Sequence, residues 1–220
     1  MKSKSSYCVV LLWLARLCAN AQGFVYDQQT ASSSVYVGGA AGLQQGSPIG
    51  QSFTPTLAGI DFVQFVLFDV NNGNGLGATV YVNLRSDGIT GPILGTSNPF
   101  SMPDRYGQSS VNGAPPVGVF YFAATIDLQP GTVYYLEPVV QSGDQWGIRG
   151  SEFGYAGGTG YYQGLPFPTR GDLWFREGTF TVPEPSALAV FLLGAGVLAW
   201  IRRTRRSYDA FTVSSSQPQP

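Results

Sequence analysis

Histidine is absent from all 220 residues of this chain. Without imidazole there can be no Ser-His-Asp or Cys-His catalytic set, and no zinc site built on histidine. The two cysteines, Cys8 and Cys18, lie close to the N-terminus, so the rest of the chain has neither thiolate chemistry nor disulfides. Carboxylates are the only acid–base groups left, and the fold must be stabilised by its core.

Lysine is absent from the central region, residues 22–181. Eight Asp and three Glu outnumber five Arg there, which gives this region a net charge of −6. The whole-chain net charge of −1 hides the imbalance, because most of the basic residues lie at the two ends. A negatively charged domain is poorly suited to binding phosphate backbones, so we expect no nucleic-acid partner.

The central region has no convincing helical repeat of apolar residues, whereas strand patterns are frequent. Residues 79–85 alternate, with Val80, Val82 and Leu84 on one face. Residues 62–70 are apolar on both faces, as in a central buried strand. The predicted strands are 24–27, 34–37, 51–54, 62–70, 79–85, 117–124, 132–140, 145–149, 172–176 and 179–182. Glycine- and proline-rich turns separate them, which predicts an all-β domain over residues 22–181: an antiparallel two-sheet sandwich of jelly-roll type.

The segment from Leu128 to Tyr134, Leu-Gln-Pro-Gly-Thr-Val-Tyr, resembles the tyrosine corner of immunoglobulin-like sandwiches. In that motif the tyrosine hydroxyl bonds to nearby backbone, so we interpret Tyr134 as structural. Together with Gln-Ser-Phe-Thr at 51–54 and Asp-Leu-Trp-Phe at 172–175, the segment is also similar to choice-of-anchor domains. These are exported β-sandwich domains that precede surface-sorting tails. The resemblance implies a fold and no activity.

The N-terminal sequence is typical of an export signal. Lys2 and Lys4 precede an apolar stretch over residues 7–15, and Ala19-Asn20-Ala21 provides small residues for cleavage. We therefore predict a signal peptide over residues 1–21. Its removal would take both cysteines away.

The C-terminal region predicts a membrane anchor. Val182-Pro183-Glu184-Pro185 precedes an apolar run over residues 187–201, and Arg202, Arg203, Arg205 and Arg206 follow it. The run predicts a transmembrane helix with its arginines on the cytoplasmic side; a buried core helix is the alternative. Its 15 residues would span about 22 Å. A lasting span needs about 20 residues, so a temporary anchor is favoured. Residues 207–220 are predicted to be a disordered polar tail.

These features in this order, over residues 182–206, resemble the PEP-CTERM sorting signal of bacteria. The resemblance implies recognition by an exosortase, a membrane enzyme that cuts near Pro-Glu-Pro. It also implies a precursor anchored in the inner membrane, followed by release to the cell surface or extracellular matrix. The same tail occurs on some ice-binding proteins. A sorting signal is an address, however, so it implies no ice binding.

The loop Asp69-Val70-Asn71-Asn72-Gly73-Asn74-Gly75 is the best candidate for a metal ligand set, because its side-chain oxygens suit calcium. The fifth position of an EF-hand needs an oxygen ligand, and here that position is Gly73. The closing glutamate is also missing. Asn and Gly are typical of tight turns, so we favour a hairpin connection and expect no cofactor, with calcium as the alternative.

The segment between Trp146 and Trp174 is rich in aromatic residues and glycine. Flat rings on loops can stack on sugars, whereas aromatics in β proteins more often fill the core. The first interpretation predicts a glycan platform formed by Trp146, Tyr161, Tyr162 and Trp174.

Two functions fit these patterns. The first is a structural or adhesive surface protein that binds extracellular polysaccharide and is not an enzyme. The second is a hydrolase of such a polymer, which would need two carboxylates facing each other across a cleft. The candidates for that pair are Glu137, Asp144, Glu152, Asp172 and Glu177. The sequence offers no sign that any two of them converge, so we favour the first function and expect no catalytic residue.

Overall fold

The computed structural model of the chain describes residues 23–30, 39–108, 117–151, 154–167 and 171–181. One compact unit spans Phe24–Phe180. The predicted signal peptide, the predicted strand at 34–37, the sorting tail from residue 182 onward and the polar tail lie outside the described residues. Within the described ranges no helix is long and apolar enough to cross a membrane.

Every regular element in the described ranges is a β-strand, which confirms the all-β prediction. The strands are β1 (Gly23–Gln29), β2 (Ala40–Gly42), β3 (Gly50–Phe53), β4 (Gly59–Phe65), β5 (Leu67–Asp69), β6 (Ala78–Arg85), β7 (Ile93–Thr96), β8 (Phe100–Met102), β9 (Gly118–Asp127), β10 (Tyr134–Gly143), β11 (Trp146–Ser151), β12 (Gly160–Tyr162), β13 (Leu165–Pro166), β14 (Asp172–Leu173) and β15 (Phe175–Thr181).

The strands form three sheets, whereas the sequence pattern predicted two. One four-stranded sheet, which we call the small sheet, has the order β1-β15-β4-β9. The large sheet has seven strands in the order β13-β12-β3-β10-β6-β7, with β8 also paired to β6. The third sheet has the order β14-β11-β2, with β5 on the other edge of β11. Antiparallel pairing joins β4 to β9, β10 to β6 and β11 to β2. A third sheet arises because the apolar segment at 62–70 is interrupted at Val66, so its last residues pair with β11 instead of continuing in the small sheet.

A single hydrophobic cluster contains residues from all three sheets. Val80, Val82 and Leu84 are fully buried, as their alternation predicted. The small sheet contributes Phe65, Phe120 and Phe175, and the third sheet contributes Leu67, Trp146 and Ile148. Burial of these large side chains is the main source of stability in a domain that has no disulfide.

The tyrosine corner is confirmed. The Tyr134 hydroxyl accepts a hydrogen bond of 2.9 Å from the backbone N–H of Gln129. Gly131, between them, has a φ of 81°, a conformation that glycine adopts without steric cost. This turn fixes the start of β10, the strand that pairs with both β3 and β6.

Glu177 is a fully buried carboxyl group on β15. One of its oxygens, Oε1, accepts a hydrogen bond of 3.0 Å from the backbone N–H of Gln28, and the other, Oε2, has no partner among the described residues. Burial, with the nearby charge of Asp27, raises the pKa of Glu177 to about 8. The carboxyl is therefore protonated in the folded chain at neutral pH.

Replacing Trp146 by Ala should lower the free energy of unfolding by about 3–5 kcal/mol, because a large, fully buried side chain leaves a cavity when it is truncated. Denaturant unfolding followed by far-UV circular dichroism measures this change. Leu165→Ala is the matched control, since Leu165 is 70% exposed and its loss should change stability by less than about 0.5 kcal/mol. Equal effects of the two substitutions would contradict the core assignment of Trp146.

Stability should fall as the pH rises from about 4.5 to about 8 because of Glu177. The folded-state pKa, about 8, lies above the ordinary value of 4.5, so the stabilising contribution is complete below pH 4.5 and is lost as the pH rises through 8. The slope from one such group approaches about 1.4 kcal/mol per pH unit. Glu177→Gln keeps a neutral side chain of the same shape and should flatten this part of the profile, measured by unfolding at several pH values. An unchanged slope in that variant would refute the assignment.

Candidate binding surfaces

The two tryptophans of the predicted glycan platform are buried, so the prediction is wrong for both. Trp146 is 0% exposed and packs near Tyr106, with ring centroids 5.9 Å apart. Trp174 is 5% exposed and lies under the guanidinium of Arg176, whose Cζ is 5.0 Å from the indole centroid. Neither ring offers a free face on which a sugar could stack.

The two tyrosines of that platform do not meet the tryptophans. The half-buried Tyr161 contacts Tyr135 edge to face, with ring centroids 5.6 Å apart. Burial and the neighbouring Tyr161 raise the pKa of Tyr135. Tyr162, also half-buried, stacks on Phe167 at 6.4 Å. The predicted platform is thus divided among separate packing contacts.

A cavity of about 200 Å³ opens beside Trp146, between β2, β5 and β11. We call it the glutamine-rimmed cavity. Its walls are apolar, and three exposed glutamines, Gln44, Gln45 and Gln145, stand at its rim. The other lining residues are Ala40, Ala41, Gly42, Phe68, Val70 and Trp146. None of the described residues that line this cavity is Asp, Glu, Arg or Lys.

The glutamines at the rim differ in how they are held. The Gln44 side chain is fixed at both ends, because Nε2 donates to the Asp144 carbonyl at 2.7 Å and Oε1 accepts from the Trp146 N–H at 3.1 Å. Within the part of the chain that the structure describes, the side-chain amides of Gln45 and Gln145 form no hydrogen bond. Both can therefore donate to and accept from a ligand.

A glycine leaves room for the ring of Phe68 in this region. Gly147 on β11 is the cross-strand neighbour of Gly42 on β2. The Phe68 ring lies across Gly147 so closely that a Cβ there would be 2.1 Å from the ring Cζ. The guanidinium of Arg149 covers the same ring, with its Cζ 4.1 Å from the centroid. The absence of a side chain at Gly147 thus makes room for the Phe68 ring.

A second surface lies on the small sheet, on the side facing away from the hydrophobic cluster. We call it the aromatic row: Phe24 and Tyr26 on β1, Phe180 on β15, Phe62 on β4 and Tyr121 on β9. Each ring contacts the next, with centroids 5.5 Å apart for Phe24 and Phe180, 5.3 Å for Phe62 and Phe180, and 5.6 Å for Tyr121 and Phe180. The row crosses all four strands of this sheet.

Three rings of the aromatic row are exposed to solvent. Phe24 is 40%, Tyr26 39% and Tyr121 42% exposed, whereas Phe62 is completely covered by its neighbours. Arg176 extends over this face, with its Cζ 5.3 Å from the Tyr26 centroid. Sequence alternation alone could have placed Phe24 and Tyr26 on one face, but not beside Phe180 and Tyr121.

Two of the carboxylates proposed for hydrolysis, Glu137 and Asp172, are held by structural bonds. Glu137 pairs with Arg85 at 2.8 Å. Asp172 accepts 2.8 Å bonds from the Gln51 amide and the Tyr155 N–H, and burial raises its pKa. Glu177 is enclosed in the interior, and Glu152 lies outside the described residues.

No described carboxylate lines either of two cavities in this structure. The first is the glutamine-rimmed cavity, and the second, of about 230 Å³, lies beside Tyr121 between β8 and β9. Among the described residues, neither of these two cavities has the pair of facing acids that hydrolysis of a polysaccharide would need.

The loop considered for calcium is closed by hydrogen bonds to two carboxylates. The Asp104 carboxylate accepts from the Gly73 N–H at 2.7 Å and the Gly75 N–H at 3.1 Å, and the Gly73 bond is the main cause of its lowered pKa. The Asp144 carboxylate accepts from the Gln145 N–H and from the side-chain amides of Asn71 and Asn74. These bonds, led by that from Gln145, lower the pKa of Asp144.

Asp69, at the start of the same loop, is fully buried. Its carboxylate accepts 2.9 Å bonds from the Asn71 and Arg105 N–H groups. Among the described residues no group of three or more acids, cysteines or histidines is placed to hold a metal ion. The loop has the hydrogen bonds of a tight connection between strands.

Comparison with known proteins bears on the C-terminal region. Among curated proteins none matches this chain. Residues 181–206 match the family model of the PEP-CTERM protein-sorting motif. The resemblance recognised in the sequence is confirmed, with the match starting at the last residue of β15. This chain carries a PEP-CTERM motif, which indicates export, a membrane-anchored precursor and exosortase-dependent sorting to the cell surface.

Proposed function

We propose that this chain is a structural or adhesive protein of the cell surface or extracellular matrix, and that its domain binds an uncharged polysaccharide at the glutamine-rimmed cavity. The domain is a sandwich of jelly-roll type in this proposal, and it acts by binding, without catalysis. The observation that carries the proposal is the composition of the cavity: apolar walls, free amide groups at the rim and no charged side chain among the described residues that line it.

The lining of the cavity suits a sugar ring. Sugars present C–H groups, which pack on apolar walls such as those of Phe68 and Val70, and hydroxyl groups, which donate and accept hydrogen bonds. The free amides of Gln45 and Gln145 provide both a donor and an acceptor. A few polar groups on an apolar surface are the usual composition of small-molecule sites.

The volume of the cavity and the net charge of the domain limit which ligands can bind. About 200 Å³ is less than the roughly 300–1,000 Å³ of pockets that enclose drug-sized ligands, so one ring would fit while the polymer continues outside. A net charge of −6 over residues 22–181 repels acidic polymers. An uncharged polysaccharide satisfies both conditions.

The binding test removes the two free amides together. Gln45→Ala with Gln145→Ala should weaken retention of the chain on immobilised uncharged polysaccharides, screened on a glycan array, with little change in melting temperature because both residues are exposed. Gln141→Ala is the matched control, since Gln141 is an exposed glutamine on β10 that does not line the cavity. Equal retention by the double variant and the control would reject the cavity as the site.

The sorting proposal is tested separately with two epitope tags. One tag is placed in the exposed turn at Asn72, and the other follows Pro220. If the tail is removed as the motif indicates, fractionation should place the turn tag at the surface or in the matrix and the C-terminal tag in the membrane. Permanent recovery of both tags in the inner membrane would show that the chain is anchored and not processed.

A further inference from the structure

We propose that the aromatic row lies against the lipid bilayer while the chain is still anchored through its sorting motif. The row is distinct from the glutamine-rimmed cavity and shares no residue with it. The proposal therefore does not depend on polysaccharide binding.

The aromatic row is unusual for its place in the fold. The side of an antiparallel sheet that faces away from the core normally carries polar side chains. Here Phe24, Tyr26 and Tyr121 are each about two-fifths exposed and in ring contact with buried or half-buried partners. A contiguous exposed apolar patch of this kind marks an interaction surface.

The chemistry of the row matches a membrane interface. Tyrosine is enriched where lipid headgroups meet the hydrocarbon, because its ring is apolar and its hydroxyl is polar. Tyr26 on β1 and Tyr121 on β9 provide such rings at the two edges of the sheet, and Phe180 lies on β15 between these edges. Arg176, over Tyr26, supplies a guanidinium suited to lipid phosphate.

One carboxylate beside the row, that of Asp61, is engaged by the protein. Asp61 accepts a 2.8 Å bond from the Phe180 N–H and a 2.5 Å bond from the Thr125 hydroxyl. None of the five residues of the row is charged. Contact with lipid would therefore not require the burial of a free negative charge from the row itself.

The short distance along the chain between the aromatic row and the predicted anchor favours lipid as the partner of the row. Phe180 belongs to the row, the family match begins at residue 181, and the apolar run begins at Ala187. Seven Cα–Cα steps separate Phe180 from Ala187, and a fully extended chain covers at most about 25 Å over that number of steps. Anchoring through residues 187–201 keeps Phe180 within this distance of the bilayer.

Because the tether is short, a weak affinity of the aromatic row for lipid is sufficient to hold the row at the bilayer. A short linker raises the effective concentration of a second contact to the millimolar range, so the row needs only modest affinity for lipid. Cutting the tail removes the tether, and the same modest affinity no longer holds the domain at the membrane. The row would thus contact lipid only in the anchored precursor and would be exposed to solvent after the tail is cut.

The test places an environment-sensitive dye on the row of the full chain. Tyr121→Cys is labelled in a background with Cys8→Ser and Cys18→Ser, and the chain is inserted into vesicles of phosphatidylethanolamine and phosphatidylglycerol. We expect a blue shift of the dye emission, and quenching by nitroxide-labelled lipid. Val133→Cys is the matched control, because Val133 is 44% exposed and lies outside the row, and it should show neither effect.

Tyr26→Cys, at the other edge of the small sheet, gives an independent measurement if labelling at 121 disturbs the fold. Equal quenching at positions 26, 121 and 133 would overturn the proposal, because the domain would then have no preferred lipid-facing side. An emission change at 26 or 121 caused by added dextran, with no quenching by nitroxide lipid, would assign the row to polymer and also overturn it.

Discussion

The packing of this domain depends on a short stretch of buried backbone, residues 172–175, whose polar groups are satisfied by distant parts of the chain. The Gln51 side chain accepts from the Leu173 N–H at 2.8 Å, and the Thr30 hydroxyl donates to the Leu173 carbonyl at 2.8 Å. The same hydroxyl accepts from the Phe175 N–H, while the Trp174 N–H donates to the Arg149 carbonyl. An unpaired buried backbone group costs about 1–3 kcal/mol, so these bonds allow the chain to pass between sheets.

Side chains along residues 172–175 point alternately toward the interior and away from it. Leu173 and Phe175 enter the hydrophobic cluster, whereas Trp174 turns away and lies under Arg176. The alternation continues along β15, which directs Glu177 inward and Phe180 to the aromatic row. The strand that follows this segment therefore carries both the buried acid, Glu177, and one ring of the aromatic row, Phe180.

Local patterns in the sequence were sufficient for β6, β9 and β10, for the Tyr134 corner and for the sorting motif, because each depends on residues close together in the chain. The predicted strands 62–70 and 172–176 are each divided between two strands. The strands β2, β7, β8, β12 and β13 were missed, since two to four residues cannot display a period. The tryptophan platform failed for a different reason. Glycine-rich sequence suggests loops, but Trp146 is the first residue of β11. The backbone of Leu173, next to Trp174, is bonded to the side chains of Thr30 and Gln51, and the Trp174 N–H donates to the Arg149 carbonyl. Those partners are 25 to 144 residues away, so no local pattern reveals them.

The two exposed surfaces also consist of residues far apart in the chain. The glutamine-rimmed cavity joins residues 40–45 to 68–70 and 145–146, and the aromatic row joins both ends of the compact unit through Phe24 and Phe180. Only the row includes a residue next to the motif that anchors the chain. In the two proposals, contact with lipid through the row would leave the cavity residues unused, so polymer binding would be compatible with either stage of sorting. The proposed lipid surface depends on the membrane anchor, whereas the proposed polysaccharide site does not.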